Sequence, residues 1–103
     1  MTQLPQGLQW KIELKNDPRY PNWLAKVDVT IEQFEMRGFR INRSKHENSD
    51  FFLKPPAVPR GRKFYDIVRV TNEDAWKLFE ERVLNDYRKQ SEDEDLNQAV
   101  RSL

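Results

Sequence analysis

The 103 residues contain no cysteine, which excludes disulfide staples and thiolate metal sites and suits a reducing compartment. The single histidine, His46, lies in a polar run with no partner set by spacing, so it reads as a solvated loop residue. Of the three glycines none belongs to a phosphate-cradling motif, and neither a nucleophile elbow nor a metal-ligand spacing is present. No apolar run approaches membrane-spanning length. Met1 to Trp10 has neither the charged nor the apolar region of a secretory leader. These absences point to a cytoplasmic protein that is not an enzyme, with no cofactor, no metal, no membrane association and no small-molecule substrate.

What the chain does have is rings and charge. Aromatics make up 12%, which argues against disorder. Hydrophobic residues at 37% against 34% charged suggest a thin sheet-plus-helix domain around one modest core. The net charge of +1 conceals an uneven distribution. Residues 37–63 carry eight cations (Arg37, Arg40, Arg43, Lys45, Lys54, Arg60, Arg62 and Lys63) against the two anions Glu47 and Asp50. The last segment, 91–103, carries four acids against one cation. Local field, not total charge, recruits phosphate.

Alternation of apolar and polar residues predicts strands over Leu8–Leu14 and Ala25–Ile31, most simply an antiparallel pair joined by the Lys15–Trp23 connection. Phe34 and Met36 continue the alternation, and Phe39 and Ile41 resume it in the opposite parity. The intervening Gly38 marks a β-bulge or sharp bend. Asn42–Asp50 reads as a loop and Phe51–Lys54 as a short strand ended by Pro55. Pro55–Lys63 reads as a stiff basic loop. Phe64–Val70, apolar on both faces, reads as a central strand or one covered by a partner. Thr71–Asp74 is a helix start with acids in its first turn. Ala75, Trp76, Phe79, Val83 and Tyr87 form its apolar stripe, with Leu78 and Leu84 beyond the two flanks. Ser91–Glu94 reads as a second cap, opening a short terminal helix.

The carboxylates Glu80, Glu81 and Asp86 read as the solvated side of the main helix. Lys54, Arg60, Arg62 and Lys63 are placed to clamp a nucleic-acid backbone, and Phe51, Phe52 and Tyr65 offer stacking surfaces beside them. A solvated hairpin with its rings turned inward fits the same composition.

Several segments, in order, resemble the septation protein SpoVG family: Val29-Thr30-Ile31-Glu32, Phe39-Arg40-Ile41, Phe51-Phe52-Leu53-Lys54-Pro55-Pro56, Phe64-Tyr65-Asp66-Ile67, and the helix closing on Val83-Leu84-Asn85-Asp86-Tyr87. In the family's turn the lysine follows the proline, whereas Lys54 precedes it. The resemblance implies a small α+β fold, a homodimer, and site-selective binding of DNA and RNA in bacterial gene regulation. It also directs attention to Arg40 and the cations of the proline loop.

The expected architecture is α+β: an antiparallel β-sheet of about five strands, one main C-terminal helix packed on it, and a short terminal helix. Residues 1–90 form the domain and residues 91–103 an acidic tail. The expected function is a homodimeric nucleic-acid-binding regulator. Arg60, Arg62 and Lys63 would contact phosphates, Lys54, Arg43 and Lys45 would flank them, and Arg40 would lie nearby. The alternative is a protein-interaction module that binds no nucleic acid, using an open strand edge or a helix flank.

Overall fold

A computed structural model of the chain describes residues 3–44 and 51–101, with side chains described as far as residue 93. Its strands are β1 (Leu8–Leu14), β2 (Trp23–Ile31), β3 (Phe34–Arg43), β4 (Phe51–Lys54), β5 (Ala57–Arg60) and β6 (Lys63–Asp66), followed by a single helix, α1 (Glu73–Arg101). β1 to β4 form one antiparallel sheet in sequential order, and β5 and β6 form a separate two-stranded sheet. The fold is α+β, with α1 packed on the four-stranded sheet.

Period-2 alternation turns one set of side chains toward α1. Ile12, Ala25, Val27, Val29, Phe39, Ile41 and Leu53 are buried there against Phe79, Val83 and Leu84 of the helix. Phe79 sits at the centre, edge-on to Phe39 (centroids 5.9 Å apart) and to Trp10 (5.7 Å). Leu84, expected beyond the stripe's flank, is buried as well, because a sheet face is broader than one helical stripe.

The helix also reaches the backbone of both outer strands. Leu53 N–H of β4 donates to Glu80 (3.1 Å), and Gln90 Nε2 donates to the carbonyl of Ile12 in β1 (2.9 Å). Trp10 Nε1 donates to Asp86 at 2.8 Å. Glu80 and Asp86 are therefore not merely solvating groups: they tie the helix across the sheet, while Glu80 and Gln90 occupy backbone groups that an incoming strand would use.

Asn42 and Arg43, expected in a loop, continue β3, because they pair with Phe52 and Phe51 of β4. Three further features differ from the sequence reading. The basic loop contains a strand, β5, which pairs with β6 around the Gly61–Arg62 turn. The last strand is therefore an arm of a separate hairpin and not a central strand, and it ends at Asp66. Pro55 and Pro56 lack the N–H groups needed to extend the ladder, so β4 ends at Lys54. The Ile67 N–H then donates back to the Pro56 carbonyl at 2.9 Å. The third difference is in α1, which runs unbroken through Ser91 for 29 residues, about 43 Å of helix. With no proline or glycine between Glu73 and Arg101, nothing stops it. Its start is as read: Asn72 Oδ1 accepts from the Ala75 N–H at 3.0 Å.

Phe79→Ala is expected to cost about 3–5 kcal/mol in urea unfolding, a large share of a small domain's stability. Glu80→Ala should cost about 1–3 kcal/mol by stranding the Leu53 N–H, and Glu80→Gln, which keeps an acceptor, less. Equal stability of Glu80→Ala and the wild type would remove the role given to that bond.

Candidate nucleic-acid interface

With one face of the sheet closed by α1, the other carries Lys26, Asp28, Arg37, Arg40, Asn42, Phe52 and Lys54. The register sets Lys26 opposite Arg40 and Arg40 opposite Lys54, a row of three cations across β2, β3 and β4. Adjacent strands lie about 4.8 Å apart, so the row spans about 10 Å.

Arg37 joins this face because of the bulge. Met36 faces Val29 and Phe39 faces Val27, so β3 holds one residue more than β2 between the two pairs. The extra residue shifts parity and brings Arg37 and Arg40 to the same side. Gly38 supplies the left-handed φ of +104° that this requires.

The face divides electrostatically. On the β1–β2 side cations and carboxylates neutralise each other, Lys15 with Glu13 (3.1 Å) and Lys26 with Asp28 (3.7 Å), and at the start of β3 so do Arg37 and Glu35. The hydrogen bond from Lys15 holds the Glu13 carboxyl below the usual carboxylate range. Glu35 raises the Arg37 pKa, chiefly through its own hydrogen bond. On the β3–β4 side Arg40 and Lys54 have no ion pair among the described residues. Both rest on rings instead. The Arg40 guanidinium lies 4.6 Å from the centroid of Trp23, whose Nε1 is fixed on the Ala25 carbonyl at 2.9 Å. The Lys54 ammonium lies 5.4 Å from the Phe64 ring. Such contacts orient a cation without cancelling its charge.

The other expected site residues are dispersed. Arg60 and Lys63 are cross-strand partners at the end of the β5–β6 hairpin, with Arg62 in its turn, all exposed and without an ion pair among the described residues. Phe64 in the same hairpin links this tip to Lys54. Arg43 pairs with Phe51, at the other end of β4 from Lys54 and in the parity of the helix-facing residues. It is not brought together with Arg40. Lys45 and His46 lie outside the described residues. Of the stacking candidates, Phe51 is half-buried against Tyr87 (5.0 Å) and Arg88 (4.9 Å). Phe52 and Tyr65 stay open to solvent. Lys26, Arg37, Trp23 and Phe64 were not singled out from sequence, since their membership depends on register and on the bulge.

Between β3–β4 and the hairpin lies a cleft of about 280 Å³ lined by Arg37, Arg40, Lys54, Pro56 and Phe64 among others. Across Lys54 lies a second, of about 400 Å³, with Phe52, Asp66, Arg69 and Trp76 in its walls. Among the described residues no cluster of three or more His, Cys, Asp or Glu side chains is placed to hold a metal ion, and no helix is long and apolar enough to cross a membrane.

Fold and face together define a small α+β protein presenting a cationic, ring-bearing sheet surface. Compared with protein-family models, curated proteins and solved structures, the chain matches none.

Because Glu35 offsets Arg37 at the edge of the uncompensated region, Glu35→Gln should strengthen the positive field there. The variant is expected to elute from a heparin column at higher salt than wild type. Elution at the same or lower salt would show that this edge contributes nothing to polyanion binding.

Proposed function

We propose that this protein binds nucleic acid, DNA and/or RNA, through the outer face of its sheet and the basic hairpin, as a cytoplasmic regulatory protein of the SpoVG type. The observation that carries the reading is the pairing of Arg40 with Lys54 across β3 and β4, with no ion pair to either among the described residues. Two neighbouring cations held on rings, with no ion pair to either among the described residues, suit successive phosphates. The hairpin tip, with Arg60, Arg62 and Lys63, extends the surface beyond the sheet. The homodimer that the family resemblance implies would present two such surfaces to one polynucleotide and raise avidity.

The test is an anisotropy titration against duplex DNA and single-stranded RNA at several salt concentrations. Log affinity should fall linearly with log salt, at about 0.9 per phosphate contact on duplex and about 0.7 on a single strand. Arg40→Ala/Lys54→Ala should weaken binding and flatten the slope by about two contacts' worth on either form. Arg60→Ala/Arg62→Ala/Lys63→Ala should flatten it independently. Affinity unchanged in both variants, or a slope of zero, would overturn the proposal in favour of the protein-interaction module.

A further inference from the structure

We infer that the two clefts astride Lys54 seat unpaired bases, so the strand this surface takes is single and crosses Lys54 with a phosphate on its ammonium. The inference rests on the nucleic-acid reading above and adds the form of the ligand.

Each cleft sets an aromatic ring beside an arginine. One pairs the exposed ring of Phe64 with Arg40, the other pairs Phe52 with Arg69, and Lys54 belongs to both. Phe64 is 67% exposed and Ile67, in the same cleft, 62%, although each is large and apolar. Such surface next to a cation gains nothing from water, whereas a base laid on it is worth about 1–3 kcal/mol. The size agrees. At about 280 Å³, the Phe64 cleft lies just under the range of about 300–1,000 Å³ typical of small-molecule pockets. That is room for one nucleotide, not for a helix of stacked pairs.

Gly38 and Pro56 are among the residues lining this cleft. A duplex keeps its base faces stacked inside and could use only the cations. A single strand uses cations and rings together, and Asp66 in the second cleft adds a carboxylate able to accept from a base amino group.

The test uses the full chain and mixed-sequence oligonucleotides of about 12 nucleotides, as single strands and as the matching duplex, at one low salt concentration. Phe64→Ala is expected to weaken single-strand binding about 5- to 150-fold and duplex binding by a smaller factor, since a duplex loses only the ring beneath Lys54. Phe52→Ala should act in the same direction, and Phe64→Trp should retain wild-type affinity. Because Phe64 is exposed and outside the core, circular dichroism of the variants should match that of wild type.

Equal losses on both forms, no loss on either, or tighter binding of duplex than of single strand would overturn the inference. If Arg40→Ala/Lys54→Ala weakens binding and Phe64→Ala does not, the nucleic-acid function stands and the base-seating role falls. Absence of binding to any polynucleotide, or equal binding to poly-glutamate, would overturn both.

Discussion

Burial of Phe79 and Val83 against Phe39, Ile41 and the β2 valines is the constraint on which the rest of the molecule depends. The core is small and its residues come from one face of the sheet and one stripe of the helix, so a single layer of contact holds the domain together. Because that contact uses only one side, the other side of the sheet is left to polar residues and rings. The face proposed to bind is thus a by-product of how the core is made.

Rigidity of that face also derives from the helix. Bonds from α1 reach the backbone of β1 and of β4, at opposite borders of the sheet, so the strands bearing Lys26, Arg40 and Lys54 are held in fixed order. Positioned charges lose less freedom on meeting a phosphate than charges on a loose loop. Trp23 serves the same end from the outer side, anchored to the Ala25 carbonyl and set beneath Arg40. The hairpin is built differently. Its tip cations stand free of partners among the described residues, suiting them to adjust to a ligand whose position the sheet has set.

Much of the fold was legible because the deciding forces are local. Alternation along Leu8–Leu14 and Ala25–Ile31 specifies which residues turn inward, and Gly38 at a change of parity marks a bulge or sharp bend, which the register resolves as a bulge. Asn72 followed by two acids specifies a helix start. The basic hairpin was legible as charge but not as structure. Nothing in Ala57–Arg60 alternates clearly enough to be read as a strand, and pairing with Lys63–Asp66 is what makes it one. Ser91 followed by acids was a sound capping pattern, but a cap is used only where a helix has reason to end, and α1 has none there.

The sequence by itself determined the α+β class, the inward face of each long strand, and a surplus of six positive charges between residues 37 and 63. Those properties follow from periodicity and composition, which act over a few residues at a time. Tertiary structure decided which charges become neighbours. Register across three strands put Lys26, Arg40 and Lys54 in one row, the bulge brought Arg37 to the same side, and the parity of β3 gave Arg43 to the other. Proximity between residues far apart in the chain is set by strand pairing, which depends on the whole core being closed at once.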